Sequence, residues 1–126
     1  MVTKRYYDSY WEGEDGWFPV ASLSEKLSKT FEKFVTDETT VLDIGCGDGE
    51  HYGKYLCRRA QKYFGVDISL EAVEKAKANG ITAILWAAGE MLPFEDNSFD
   101  TLLCIEVLEH LFEPASLLKE CHRVLR

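Results

Sequence analysis

Apolar and polar residues along the chain fall into two alternating patterns. Some segments are short and almost continuously apolar, as in strands, and others repeat an apolar residue every three or four positions, as in helices. Strands are predicted over residues 39–44, 63–66, 81–86 and 99–105. Helices are predicted over residues 19–35, 50–61, 70–78 and about 114–125. The pattern therefore predicts helices and strands that alternate along the chain.

Local signals support several of these helices. The apolar face of the first one is formed by Val20, Leu23, Leu27, Phe31 and Phe34. Ser69 is a typical N-cap for the helix over residues 70–78, and Asn79 and Gly80 are a typical stop. Pro114 suits the first turn of the last helix.

Strands that alternate with helices predict βαβ units and a parallel sheet with helices on both faces. The runs ITAILW, residues 81–86, and TLLCI, residues 101–105, are almost entirely apolar. Such runs are expected in parallel strands, which are buried on both faces. The predicted fold class is α/β, a Rossmann-like doubly wound parallel sheet.

Composition narrows the class of ligand. The 126 residues suffice for one globular domain, and 46% of them are hydrophobic. A net charge of -8 argues against binding a nucleic-acid backbone, so a small molecule is the expected partner. No apolar run approaches the ~20 residues of a membrane span. The first residues also lack a signal peptide, so we expect no membrane association and a cytoplasmic location.

Four cysteines, Cys46, Cys57, Cys104 and Cys121, occur without any CxxC pair. In a cytoplasmic protein we expect them to be reduced core or loop residues, with no metal site and no disulfide.

The segment VLDIGCGDGE, residues 41–50, joins the first strand to the helix that follows it. Gly45 and Gly47 allow a tight turn and a close approach of backbone to a ligand, and Gly49 allows the helix to start against the sheet. The third glycine comes one residue earlier than in the dinucleotide motif GxGxxG, and Glu50 would repel a pyrophosphate. A phosphate-binding GxxxxGK[ST] loop is absent from the sequence. The favoured ligand is therefore nucleoside-like but without phosphates, and a turn without any ligand is the alternative.

Asp67 ends the second strand in FGVDIS, where a carboxylate can accept hydrogen bonds from two ribose hydroxyls. The alternative is an acid that caps the helix beginning near Ser69.

Five segments together carry a family resemblance: VLDIGCGDG, GVDIS, GEMLPFEDNSFD, CIEVLEHL and LLKECHRVLR. In this order they resemble the motifs of class I S-adenosylmethionine-dependent methyltransferases, especially the type 11 small-molecule enzymes, over residues 39–126. The resemblance implies S-adenosylmethionine as cofactor, S-adenosylhomocysteine as product and a strand order of 3-2-1-4. It also implies methyl transfer to a small-molecule acceptor, which the sequence does not identify.

The resemblance also implies roles for individual residues. Asp43 and the glycine turn would surround the methionine part of the cofactor, Asp67 would hold the ribose, and Ile68 would lie against the adenine. The remaining cofactor-binding positions are Gly45, Cys46, Gly47 and Gly49 in the turn, Gly89, Glu90 and Met91 over the adenine, and Cys104, Ile105 and Glu106 at the end of the fourth strand. Ala88 stands where many relatives have an aspartate that receives the adenine amino group. Unless Glu90 or a backbone carbonyl compensates, cofactor affinity should be reduced.

Two further expectations concern catalysis. The sulfonium methyl is already activated, so a general base is needed only if the acceptor must lose a proton; the candidates are Glu106, Glu109 and His110. The alternative, that these residues only support the site or start a helix, is favoured. Residues 1–38 contain many aromatic residues and resemble a lid over the cofactor, with Tyr7 as a candidate contact. Packing of the first helix on the sheet is an equal alternative.

Relatives continue beyond HRVLR with a Pro-Gly-Gly turn and further strands, which would supply the substrate side of the site. Without them the fourth strand is an open edge, and we expect either self-association through it or a fragment of a longer protein. Three functional classes therefore remain: a methyltransferase, a cofactor-binding module without catalysis of its own, and a dinucleotide-dependent oxidoreductase.

Overall fold

A computed structural model describes residues 25–81, 83–86 and 91–126. Its helices are α1 (Glu25–Phe34), α2 (Gly53–Arg59), α3 (Leu70–Ala78) and α4 (Pro114–Val124), and a 3-10 helix covers Leu108–His110. Its strands are β1 (Thr40–Ile44), β2 (Lys62–Asp67), β3 (Ile84–Trp86) and β4 (Thr101–Cys104). Strands and helices alternate as predicted.

The four strands form one parallel sheet in the order β3-β2-β1-β4. This confirms the predicted α/β class and the predicted strand order. Because all strands run in one direction, their carboxyl ends meet at the same edge of the sheet. From β1 the chain adds β2 and β3 on one side of the sheet and then β4 on the other side. Ligands of such sheets bind at this switch point, between β1 and β4.

Apolar side chains cover both faces of the sheet. On one face, α1, α2 and α3 pack through a cluster that comprises Phe31, Val35, Val41, Leu56, Tyr63, Val73, Ala76, Ile81 and Ile84. On the other face, α4 and the segment before β4 pack through Leu42, Ile44, Val66, Leu92, Phe99, Leu117, Cys121 and Val124. Successive residues of β1 alternate between the two clusters, as a strand requires.

Several predicted boundaries were wrong by a few residues. The helix predicted over residues 50–61 begins only at Gly53, because residues 50–52 form turns, and His51 therefore lies in a turn. The strand predicted from residue 81 begins at Ile84. Ile81 instead donates its N–H to the Ala76 carbonyl, and Gly80 donates to Lys77, which is the bonding of a Schellman motif. The fourth strand is shorter than predicted because Phe99 forms an isolated bridge to Leu125.

Two expectations about burial were also wrong. Phe34 was placed on the apolar face of α1, but its residue surface is 51% exposed. Leu27, Phe31 and Val35 follow an i, i+4, i+8 spacing, so Val35 takes the buried position. The strand β4 was expected to be buried on both faces, but all its residues are only half-buried. In the described part of the chain β4 pairs with β1 alone, so one of its edges has no covering strand.

Candidate functional site

The glycine turn begins where β1 ends. Gly45, Gly47 and Gly49 all have positive φ angles, of 72°, 60° and 78°, in the region that residues with a side chain disfavour. A Cβ added at Gly45 would lie 2.5 Å from Cγ2 of Val107, and one added at Gly49 would lie 2.0 Å from Cδ1 of Ile81. The turn is therefore tight and closely packed, and its backbone is the surface that it presents.

Asp67 ties this turn to the end of β2. Its Oδ2 accepts the N–H of Gly47 at 2.9 Å, and its Oδ1 accepts the N–H of Ser69 at 2.9 Å. Ser69 in turn caps α3, because its hydroxyl accepts the N–H of Ala72. The cap of α3 is therefore Ser69 and not Asp67, which was the alternative to ribose binding; Asp67 instead joins the glycine turn to the residue before the helix. Each carboxylate oxygen can accept more than one hydrogen bond, so this role is compatible with a ligand hydroxyl as well.

Asp43 is a buried carboxyl in the middle of the sheet, with only 3% of its surface exposed. The hydroxyl of Tyr63 donates a hydrogen bond to its Oδ2 at 2.8 Å. Burial raises the pKa of Asp43 to about 7, the Tyr63 hydrogen bond lowers it, and the nearby Asp67 carboxylate raises it. A buried acid with so large a shift, next to a turn of bare backbone, is typical of a ligand-binding site.

Cys46 is half-buried and fills the space above a glycine in β2. A Cβ added at Gly65 would lie 2.9 Å from the Cys46 sulfur. Burial, with the Asp43 and Asp67 carboxylates nearby, raises the pKa of the Cys46 thiol. The thiol therefore stays protonated at neutral pH and is a packing group rather than a nucleophile.

The end of β4 and the loop after it lie beside the glycine turn. Cys104 pairs with Ile44, and burial raises the pKa of its thiol to about 11. Ile105 packs against the cluster on the α1 face. Glu106 is exposed and has a φ angle of 54°, which is uncommon for a residue with a side chain. The chain turns sharply there and brings Val107 onto Gly45.

The candidate general bases lie on the same loop. Glu109 and His110 belong to the 3-10 helix, and Nε2 of His110 lies 3.8 Å from Oε1 of Glu109. Both side chains are well exposed, and so is that of Glu106. The structure brings the three residues to one loop, and none of them is fully buried.

The other predicted positions divide into two groups. Ile68 is half-buried after β2, and Met91 is 79% exposed. Tyr7, Ala88, Gly89 and Glu90 lie outside the described residues, as does the first part of the predicted lid. Within the predicted lid region, the described helix α1 packs on the sheet through Phe31, as the alternative had it.

Glu50 has a partner that the sequence pattern alone did not indicate. Its carboxylate pairs with the ammonium group of Lys54, one helical turn further along. Because Lys54 offsets part of its charge, the repulsion of a pyrophosphate is weaker than expected. The spacing of the glycines is therefore stronger evidence against a dinucleotide than the charge of Glu50.

Three residues near this edge were not predicted from the sequence: Tyr63 beside Asp43, Val107 over Gly45, and Tyr52 just before α2. Burial raises the pKa of the Tyr52 phenol, and the nearby carboxylates of Glu106 and Asp43 raise it further. Their roles depend on the register of the strands and on loop contacts, for which no local sequence signal exists.

The described part of the chain contains neither a cluster suited to a metal ion nor a membrane-spanning helix. Residues 25–81, 83–86 and 91–126 contain no cluster of three side chains suited to a metal ion. None of the helices in those segments is long and apolar enough to cross a bilayer. The four cysteines are free thiols.

The site thus combines a backbone cradle, a buried acid and a second acid at the next strand end. A family model for a methyltransferase domain matches residues 42–126. The chain belongs to this methyltransferase family. Its members include S-adenosylmethionine-dependent enzymes of the same fold, which confirms the class I resemblance and S-adenosylmethionine as the family's cofactor. The buried Asp43 fits the cationic amino-acid end of that cofactor.

Individual relatives cover most of this chain. An uncharacterized protein of Methanocaldococcus jannaschii is 34% identical over 120 residues, which are 95% of this chain and 56% of the relative. A ubiquinone biosynthesis O-methyltransferase of Hahella chejuensis is 27% identical over 124 residues, 93% of this chain and 52% of that enzyme. The structure of a methyltransferase of Thermotoga maritima, described as a possible histamine N-methyltransferase, is 26% identical with a TM-score of 0.71. It covers 99% of this chain, which spans 56% of that one. The chain thus spans about half the length of the curated relatives it matches.

Proposed function

We propose that this methyltransferase-family chain binds S-adenosylmethionine and transfers its methyl group to a small-molecule acceptor, with S-adenosylhomocysteine as product. The observation that carries the proposal is the glycine turn held between the buried Asp43 and Asp67 at the carboxyl edge of the sheet. The bound cofactor supplies an activated methyl group. The protein has to orient the acceptor and exclude water.

The proposed cofactor contacts follow the edge of the sheet. Asp43 receives the ammonium group, the backbone of the glycine turn surrounds the methionine part, and Asp67 accepts a ribose hydroxyl. Ile68 and Met91 are proposed on the adenine side, and Cys104, Ile105 and Glu106 on the side of β4. Glu106 and His110 are the proposed general bases for an acceptor that must lose a proton.

A second candidate function is a cofactor-binding module that needs further polypeptide for catalysis. Two curated relatives are longer, and this chain spans 52–56% of their length. The described residues leave one edge of β4 without a neighbouring strand, so a second copy of the chain is the partner we propose there. Light scattering after size-exclusion chromatography tests this, because a monomer at all concentrations would contradict self-association.

We place the protein in the cytoplasm, where its four free cysteines would remain reduced.

Calorimetric titration with S-adenosylmethionine, S-adenosylhomocysteine and NAD tests the proposed function. The first two should bind and NAD should not. The variant Asp43→Asn should bind both cofactor forms more weakly, whereas Asp37→Asn, at an exposed turn before β1, should bind as the parent does. Binding of NAD alone would favour a dinucleotide enzyme instead.

Methyl transfer from labelled cofactor to a panel of small phenols and amines then separates the two candidates. Phenols and amines are chosen because relatives carry the names O-methyltransferase and possible N-methyltransferase. Transfer to any of them supports the enzyme. Cofactor binding without transfer favours the module.

A further inference from the structure

The pair formed by Tyr63 and Asp43 is set by the register of the sheet. In the β1–β2 ladder, Val41 lies opposite Tyr63 and Asp43 opposite Gly65. Tyr63 and Asp43 therefore point to the same face, and the tyrosine reaches diagonally along the sheet to the acid. Their hydrogen bond, 2.8 Å long, is buried.

Gly53 leaves room for this hydroxyl. A Cβ added at Gly53 would lie 3.2 Å from the Tyr63 oxygen. Tyr63 itself is only 6% exposed. The hydroxyl is thus enclosed and directed at Oδ2 of Asp43, so the carboxyl group is held in one orientation.

An acid on this apolar face is costly for folding, because burial disfavours its charged form. On the same face, Val41, Leu56 and Ile84 belong to the apolar cluster. Among the described residues, Asp43 has no contacts comparable with those of Asp67, which ties a turn and a helix start together. A buried acid held by one tyrosine is therefore better explained by a ligand than by the fold.

We propose that Tyr63 is a positioning residue of the cofactor site. Its hydroxyl holds Oδ2 of Asp43, leaves the other oxygen for the ammonium group of S-adenosylmethionine, and so sets the pH range in which the cofactor binds. The inference rests on the proposed function and deepens it, because it assigns the residue that prepares Asp43 for the ligand.

The titratable groups around Asp43 come from four elements. Tyr63 and Asp67 act on it from β2. Burial raises the pKa values of Cys46 in the glycine turn, Tyr52 just before α2, Cys57 of α2, Tyr63 of β2 and Cys104 of β4, and the charge of Asp43 adds to each of these shifts. All these neighbours are neutral or negative, so none of them supplies the positive charge that a buried carboxylate attracts.

Cofactor affinity should depend on pH, in a direction that the pKa of Asp43 sets. Without ligand, burial raises the pKa of Asp43 to about 7, so the acid is partly protonated at neutral pH. A bound ammonium group favours the carboxylate, so binding near pH 7 should release a proton and tighten as the pH rises. The increase ends when the ligand's own amine deprotonates, at roughly pH 7.7–8.0. Loss of the Tyr63 hydrogen bond should raise the pKa of Asp43 further and move the rise in affinity to higher pH.

The test is calorimetry of S-adenosylmethionine binding between pH 5.5 and 8, in buffers with different ionisation enthalpies that report proton release. Tyr63→Phe removes one hydroxyl, and it should weaken binding by about three- to tenfold at pH 7 and shift the pH midpoint upward. Tyr55→Phe is the matched control. Tyr55 stacks on Phe31 in the same cluster, and its hydroxyl has no hydrogen bond to Asp43. Asp43→Asn should abolish the proton release.

If Tyr63→Phe does not fold, Gly53→Ala provides a second test. Its added Cβ would lie 2.9 Å from Cδ1 of Ile81 and 3.2 Å from the Tyr63 oxygen, so the hydroxyl has to shift away from Asp43 while the helix is retained. It should shift the pH midpoint in the same direction. A parent protein that binds no S-adenosylmethionine overturns both this inference and the proposed function. Normal binding by the parent, with an unchanged affinity and pH midpoint in Tyr63→Phe or in Gly53→Ala, overturns this inference alone.

Discussion

Gly49 allows a direct test of why the turn after β1 needs bare backbone. Two separate costs are expected for Gly49→Ala. Its φ angle is 78°, and a residue with a Cβ is strained there by about 1–2 kcal/mol. Its added Cβ would lie 2.0 Å from Cδ1 of the buried Ile81, and overpacking of this kind costs about 1–3 kcal/mol. The free energy of unfolding should therefore fall by about 2–5 kcal/mol.

Gly80 separates the two costs. Its φ angle is 87°, but a Cβ added there would have no atom within 4 Å. Gly80→Ala should therefore lose only the strain term, about 1–2 kcal/mol. The difference between the two variants measures the close approach of Ile81 to the glycine turn.

A double-mutant cycle completes the argument. Ile81→Val removes Cδ1 and should cost about 0.5–1.5 kcal/mol by itself. Because the next atom of Ile81, Cγ1, is 3.4 Å from the added Cβ, the double variant should avoid the clash. We expect a favourable coupling of about 1–3 kcal/mol, measured by urea unfolding followed by circular dichroism. The reasoning is refuted if Gly49→Ala is no less stable than Gly80→Ala, or if the two substitutions are additive within about 0.5 kcal/mol.

Three further predictions concern stability. Burial raises the pKa of Asp43 from 3.8 to about 7, so the folded state binds the extra proton and this acid's contribution to stability falls as the pH rises through that window. Asp43→Asn should therefore be more stable than the parent at pH 8, by up to about 4 kcal/mol, but not at pH 3.5; an equal effect at both values would contradict this. Ser69→Ala should lose about 0.5–2 kcal/mol in urea unfolding because the α3 cap is lost, whereas Ser69→Gly should lose only a few tenths; identical losses would argue against a capping role. Hydrogen bonds from Arg123 and from the Leu92 amide lower the pKa of Glu120 to about 2. Glu120→Gln should therefore reduce the loss of stability between pH 4.5 and 2. The control Glu74→Gln, on the exposed surface of α3, should leave that loss unchanged.

Much of the fold followed from short-range patterns. The stop at Asn79 and Gly80 was predicted from two residues, and the structure shows the Schellman bonds there. Helix α4 begins at Pro114 as predicted. These features depend on backbone dihedral preferences and on neighbours within a few residues, which the sequence contains directly.

Burial that depends on long-range packing was harder to predict from the sequence. Phe34 and Val35 are adjacent apolar residues, and only packing against the sheet decides that Val35 is buried and Phe34 exposed. The strand β4 has an apolar sequence and was expected to be buried on both faces. It is only half-buried, because burial depends on which strands pair beside it. Side-chain type gives hydrophobicity, but the covering surface comes from residues far away along the chain.

The same division holds for the candidate site. The sequence alone determined the α/β fold class, the strand order through its family motifs, and the place of the glycine turn between Asp43 and Asp67. Only the tertiary structure shows that Tyr63 holds Asp43 and that Val107 and Ile81 press on the glycines. These contacts join residues separated by 20 to 62 positions, such as Tyr63 to Asp43 and Val107 to Gly45, and they exist because parallel pairing sets the register of β1 against β2 and β4. A local pattern cannot contain that register, because it is a property of two strands and not of one.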